Sequence, residues 1–336
     1  MDIYQGALII LFTLAISDLV VGVSNDAVNF LNSSVGARVA PRHVIMIIAS
    51  LGILAGVTFS SGMMEVARKG IFHPQFFTMP ELMTIFLAVM LTDILLLDLY
   101  NTFGLHTSTT VSIVFELLGA AVAVSLVKIS RAGIPYTSIV EYINTAKALA
   151  IISGILLSVA VAFTVGALVM FLTRVIFTFD FQKRVKRYGA LWGGLALASI
   201  VYFILIKGAK GASFITPETL AWIKGHTWLI LGMSFVLCAV LLQLMILFSR
   251  VNILKVVVLV GTFSLAMAFA ANDLVNFIGV PLAGLSAYTI AQGSGGMLDQ
   301  TMEALQKPVQ ANTFFLLIAG FVMVVTLWVS RKARTV

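Results

Sequence analysis

The chain has 336 residues, of which 60% are hydrophobic and 10% charged, and its mean hydropathy is +1.07. Soluble domains carry about a quarter of their residues as Asp, Glu, Lys and Arg, so this composition excludes a water-soluble globular protein and indicates several membrane crossings. The net charge of +7 does not point to nucleic acid, because the basic residues sit in short loops between apolar runs, where they act as topology determinants.

Taken in order, the apolar runs predict spans over approximately 5–23, 43–64, 82–100, 109–127, 148–173, 189–206, 227–249, 253–271 and 312–330. The first run is expected to be retained, because Asp2 precedes it and no basic residue occurs before Arg38, unlike the positive start of a cleaved leader. The stretches Arg68 to Pro80 and Lys207 to Lys224 are polar connections too short for a soluble domain. The single Cys238 lies in an apolar run and offers neither a disulfide framework nor a metal-binding spacing. With the N-terminus outside and every run crossing, 12 of the 21 basic residues fall on the cytoplasmic side, which is the orientation expected here.

One short polar motif occurs twice. Residues 25–29 read Asn25-Asp26-Ala27-Val28-Asn29 and residues 272–276 read Asn272-Asp273-Leu274-Val275-Asn276. Each follows an apolar run of roughly one bilayer crossing, about 18–20 residues, so each is expected where a membrane helix breaks or ends. The two runs are the first and the eighth, separated by seven crossings. They therefore traverse in opposite directions, and the two motifs are expected to be related as inverted repeats meeting near the midplane.

The acidic residues Asp18, Asp26, Asp93, Asp98, Glu116 and Asp273 all fall within or at the ends of predicted spans, whereas every Lys and Arg falls at a span end or in a loop. Unpaired carboxylates in hydrocarbon are unfavourable. They must be protonated, open to a water-filled cavity, or neutralised by bound cations. Asp26 and Asp273 are the stronger candidates because they recur; Asp18, Asp93 and Asp98 have no counterpart in a repeat. The carbonyl oxygens of Asn25, Asn29, Asn272 and Asn276 and the two carboxylates are hard oxygen ligands suited to Na⁺. Asn25 and Asn272 are the leading Na⁺ ligands. In a helix the first and last Asn of each motif lie four residues apart on one face.

Ahead of the fourth run stands Gly104-Leu105-His106-Thr107-Ser108-Thr109-Thr110. Hydroxyl side chains at a helix start cap its free N–H groups. The same N–H groups and the positive end of the helix dipole form an anion site that needs no Lys or Arg. Ser108, Thr109 and Thr110 are thus candidate anion ligands, with His106 at the edge. The four histidines are scattered, no H-E-x-x-H or G-x-S-x-G motif is present, and Gly293-Ser294-Gly295-Gly296 reads as a loop without the Lys-Ser/Thr pair of a phosphate cradle. No enzymatic activity and no resident cofactor are expected.

At these residues the chain resembles the inorganic phosphate transporter family, whose halves each carry a G-A-N-D-V-A-N signature and a later P-V-S-T-T-H segment. Here the signatures read Val23-Ser24-Asn25-Asp26-Ala27-Val28-Asn29 and Ala270-Ala271-Asn272-Asp273-Leu274-Val275-Asn276, and the second runs on as Phe277-Ile278-Gly279-Val280-Pro281-Leu282-Ala283. His106-Thr107-Ser108-Thr109-Thr110-Val111 matches the S-T-T core. The departures are Val23 and Ala270 in place of the signature glycine, His106 in place of the proline, and Val111 in place of the histidine.

The resemblance implies an all-α polytopic membrane protein, an inverted-repeat transporter with broken helices and re-entrant segments. It divides into a first repeat over 1–147, connecting helices over 148–250 and the start of a second repeat over 251–336. It implies import of inorganic phosphate coupled to co-transported sodium, with phosphate held by Ser108, Thr109, Thr110, Asp26, Asp273, Asn29 and Asn276. The cations would be held by Asn25, Asp26, Asn29, Asn272, Asp273 and Asn276, in a homodimer of the cell (inner) membrane. Sulfate in place of phosphate, protons in place of sodium, and a non-transporting membrane subunit remain open alternatives. Asn25 precedes Ser108 by 83 residues; the same spacing from Asn272 would put a second S-T-T at about position 355, so a continuation past Val336 is expected.

Overall fold

A computed structural model describes residues 3–58, 70–205, 216–249, 251–293, 301–306 and 313–331. Nine helices carry the fold among these residues: α1 (Ile3–Gly36), α2 (Arg42–Thr58), α3 (Met79–Phe103), α4 (Thr109–Ala132), α5 (Thr145–Phe177), α6 (Phe181–Phe203), α7 (Thr227–Phe248), α8 (Ile253–Gly293) and α9 (Thr313–Val329). Each expected span has its helix. Six of them (α1, α3, α4, α5, α7 and α8) are long and apolar enough to cross a membrane. The far end of the expected 43–64 span, the 207–215 part of the long connection and Ser294 to Gly296 lie outside the described residues.

The local signals that start and stop these helices are legible. The Glu81 carboxylate accepts a 2.8 Å hydrogen bond from the Thr78 backbone N–H, closing the first turn of α3 with Pro80 inside it. That helix ends at Gly104, whose φ of +66° is the left-handed conformation glycine adopts without strain, and Leu105 N–H donates back to Tyr100 O. Asn144 and Asp180 cap α5 and α6 by accepting from Lys147 and Lys183 N–H.

The expected break at each Asn-Asp motif does not occur. The first motif lies inside the continuous 34-residue α1, and the second lies inside the continuous 41-residue α8, ahead of its internal Pro281. The apolar windows ended at the motifs because the side chains become polar there. The backbone has no reason to end, since the buried Asn25 and Asp26 and the half-buried Asp273 and Asn276 find hydrogen-bond partners within the protein. At 1.5 Å per residue α1 is about 50 Å long, well beyond the ~30 Å hydrocarbon layer.

Helices α1 and α8 pack antiparallel. Phe30 stacks near Phe269 with ring centroids 5.2 Å apart, Gly22 faces the Phe277 ring, and Gly284 faces Leu11. Two apolar cores form along this pair: one joins the N-terminal half of α1 to α3, α4 and the C-terminal half of α8, the other joins the C-terminal half of α1 to α2, α9 and the N-terminal half of α8. By contrast α5 and α7 present nearly all of their apolar side chains outward, as lipid-facing helices do.

The tightest helix contact is α2 against α8. Gly52 and Gly56, four apart on one face, let the α8 backbone in: a Cβ at Gly56 would collide with the Met267 carbonyl oxygen and sit 2.9 Å from Ala270 Cβ. Rigid backbone cannot yield to it. Gly56→Ala is expected to cost about 1–3 kcal/mol and to lower the thermal unfolding midpoint in detergent. Gly119→Ala, whose added Cβ meets nothing within 4 Å, is expected to leave the midpoint in place.

Candidate functional site

The Gly104 turn folds residues 105–110 across the middle of α1. Asn25 is the anchor. Its amide nitrogen donates to Asn101 Oδ1 at 2.9 Å and to Leu105 O at 3.2 Å, and its Oδ1 accepts from Thr107 N–H at 3.1 Å. Asn101 in turn donates to Val21 O at 3.0 Å, and His106 Nδ1 lies 3.2 Å from Asn25 O. A polar side chain in the membrane interior thereby fixes where the next helix, α4, begins.

That beginning lies between the two motifs. Thr109, almost fully buried, lies beside the Asp26 and Asp273 carboxylates, which also interact electrostatically with each other. Thr110 Oγ1 donates to Asp273 Oδ1 at 3.1 Å and accepts from Asn276 Nδ2 at 3.0 Å. Asn276 and Asn272 also donate to Asp273 Oδ1, at 3.0 and 3.2 Å. The antiparallel packing of α1 on α8 is what sets Asp26 against Asp273 across this helix end.

The two copies of the motif are used differently. In the second, both Asn side chains and the Asp converge on Thr110. In the first, Asn25 is committed to the 101–107 turn, and Asn29 donates to Asp26 Oδ1 at 3.4 Å. Ser108 stands apart from the other two hydroxyls: it is exposed and accepts from Val111 N–H as the cap of α4. Asp26 keeps one buried oxygen, Oδ2, with no hydrogen-bond partner. Among the described residues, no Lys or Arg forms an ion pair with Asp26 or Asp273; the nearest cationic candidate is His106 Nδ1, 3.8 Å from Asp26 Oδ1.

Such a site has hydroxyl donors, amide oxygens and the free N–H groups of a 24-residue helix, with two carboxylates and no built-in positive charge. It suits an oxyanion that arrives with cations. The residues present fit Na⁺ in donor type, all being hard oxygens.

The structure also gathers acidic residues that the repeat argument set aside. Ser112, one turn into α4, contacts Asp93 of α3 and Glu116 of α4, and Asp18 of α1 faces Asp93. Asn101 was equally unforeseen, although an Asn at the end of an apolar run was the available signal. Two surface grooves lie elsewhere: one of about 490 Å³ is lined by Val175, Tyr188, Trp192 and Phe235, another by Trp228, Met233 and Val236, and neither contains a motif residue.

The chain is 28% identical to a candidate phosphate permease of Pyrococcus abyssi over 80% of its own length and 63% of that protein's. It is 27% identical to one of Thermococcus kodakarensis over 82% and 65%. It thus spans under two thirds of the length of these relatives. Its fold matches a solved sodium-dependent phosphate transporter with a TM-score of 0.67, over 97% of this chain and 76% of the other, at 19% identity. The model of the phosphate transporter family matches residues 22–333. With nearly the whole sequence covered by that family, a family of transporters rather than enzymes, the chain belongs to the phosphate transporter family.

Proposed function

We propose that this multi-pass membrane protein carries inorganic phosphate across the cell membrane together with Na⁺, and that the two Asn-Asp motifs with Thr109 and Thr110 form the site. One observation carries the reading. Two carboxylates on antiparallel helices meet over the N-terminus of α4, and among the described residues neither has a Lys or Arg partner. A phosphate anion entering beside two carboxylates is repelled unless cations enter with it. Co-bound Na⁺ on the Asn and Asp oxygens supplies that charge, so binding of the two is obligatorily linked. The family match and the name of the solved neighbour support phosphate and sodium. The antiparallel course of α1 and α8, each with its motif at the contact, supports an inverted-repeat reading of the chain.

Thermal stabilisation tests the linkage, because a ligand that binds only the folded state raises apparent stability. Phosphate is expected to raise the unfolding midpoint in NaCl and to leave it unchanged in choline chloride. An equal shift in both salts overturns sodium coupling, and a shift with sulfate but not phosphate overturns the choice of anion.

Thr109→Val combined with Thr110→Val keeps the shape and removes both hydroxyls. A hydrogen bond to a charged group is worth about 1.5–3 kcal/mol, so phosphate affinity is expected to fall by about tenfold or more. Unchanged affinity would mean that these hydroxyls only order the helix start.

Asn25→Ala removes three hydrogen bonds that tie the 101–107 turn to α1. It is expected to cost about 1–3 kcal/mol and to speed amide hydrogen exchange at Leu105 to Thr107. Unaltered exchange there would show that the turn is held by other contacts.

A further inference from the structure

Below the motif site, two turns back along α1, lies a second polar layer. Asp18 of α1 and Asp93 of α3 are both fully buried. They sit between the two apolar cores: Ala15 and Met90 belong to one, Leu19 and Leu97 to the other. Ser112 and Glu116 of α4 complete the layer, four residues apart on one helix face.

The hydrogen count in this layer does not balance for ionised carboxylates. Ser112 Oγ is 2.6 Å from Asp93 Oδ1 and 2.7 Å from Glu116 Oε1, both full-strength O–H···O distances. A serine hydroxyl has one hydrogen to donate. If it donates to one carboxyl, the other contact is a hydrogen bond only when that carboxyl carries a proton and donates it to Ser112.

Asp18 makes the same demand independently. Its side chain is completely buried, neither oxygen has a hydrogen-bond partner, and its strongest charged neighbour is Asp93. Asp93 Oδ2 and Glu116 Oε2 are also buried without a donor. The other titratable groups that face this layer bring no fixed positive charge. Asp26 lies further along α1 with His106 beside it, and Asp273 of α8 acts through Asp26. Among the described residues no three His, Cys, Asp or Glu side chains converge as ligands of one metal ion. Two carboxyl groups bridged by one hydroxyl, with a third buried carboxyl beside them, are instead an arrangement that bound protons hold together.

We propose that Asp18, Asp93 and Glu116, joined through Ser112, form a proton-binding site separate from the Asn-Asp motif site. The protons come from water on either side and reside on carboxyl oxygens, with no bond other than O–H made or broken. The site lets one helix, α1, respond to protons at Asp18 and to the anion and its cation at Asp26. It stands without the phosphate reading, since it rests on a different set of side chains.

Infrared spectroscopy of the 336-residue chain in phosphate-free lipid nanodiscs at neutral pH tests the proposal. Protonated carboxyl groups give a C=O band that shifts in D₂O and that carboxylates lack. The folded protein is expected to show such bands, and Asp18→Asn, Asp93→Asn and Glu116→Gln are each expected to remove a component that Asp26→Asn and Asp273→Asn leave in place. Exchange of choline for Na⁺ is expected to leave those components unaltered. Should the acidic-residue variants fail to fold, Ser112→Ala, which keeps every carboxyl, is expected to shift the band of its former partners. Absence of protonated-carboxyl bands, insensitivity to all of these substitutions, or loss of the bands on adding Na⁺ would overturn the site, the last by making it a sodium site.

Discussion

Five carboxyl groups, those of Asp18, Asp26, Asp93, Glu116 and Asp273, lie along helices buried in the membrane interior, and among the described residues no Lys or Arg pairs with any of them. This is the constraint on which the rest depends. An isolated carboxylate in hydrocarbon is too costly to persist, so each must be given donors, protons or a mobile cation. The chain answers with hydroxyl and amide donors placed by the start of one helix: Thr109, Thr110 and Ser112 all lie in the first turn or so of α4. Moving that helix start by a residue would leave both layers of acid without donors. For that reason the Asn25 contacts to the 101–107 turn matter more than their number suggests: they set the register of α4 against α1.

The antiparallel contact of α1 and α8 brings equivalent residues of the two motifs together, yet their surroundings are not equivalent. The first motif faces the turn that ends α3 and gives up Asn25 to it. The second faces no comparable turn among the described residues, and Asn272 and Asn276 both fold onto Asp273 and Thr110. Asymmetry of this kind has a chemical consequence. The carboxylate of Asp273 is surrounded by amide and hydroxyl donors, while Asp26 keeps an oxygen without a partner. Asp26 therefore offers an open acceptor oxygen, whereas Asp273 Oδ1 is already taken by internal donors.

Much of this was legible in the sequence. All nine apolar runs became helices, since periods of hydrophobic residues of that length have no other stable form in lipid. Ser108, Thr109 and Thr110 were recognisable as a helix start. Helix continuity was misjudged because hydropathy reports the character of side chains and not the path of the backbone: Asn25 to Asn29 look like an end, yet Asn25 and Asp26 are buried against protein and the helix runs on. The roles of Ser108 and Thr109 could not be separated from sequence, because adjacent residues at a helix start point about 100° apart and only the packing of α1 and α8 decides which one faces inward. The Asp18, Asp93 and Glu116 layer is not marked by repetition, the feature that singles out Asp26 and Asp273. A signal was present: Ser112 and Glu116 share a helix face, and Asp93 lies on the other arm of the α3–α4 hairpin, about as far from the Gly104 turn.

Two stacked polar layers on one helix also suggest how the molecule tolerates so much buried charge without losing its packing. The lower layer lies where one apolar core gives way to the other, while the upper layer lies within the second core, where hydroxyl and amide side chains surround its carboxylates. A carboxyl group at a core boundary displaces few close-packed contacts, whereas the same group in mid-core would leave a cavity or force neighbours off their rotamers. The close seam between α2 and α8, made possible by Gly52 and Gly56, holds α8 just before its motif, at Phe263 to Ala270. Rigidity in that seam serves the hydrogen bonds of the upper layer, because Asp273 and Asn276 keep their distances to Thr110 only while α8 keeps its place.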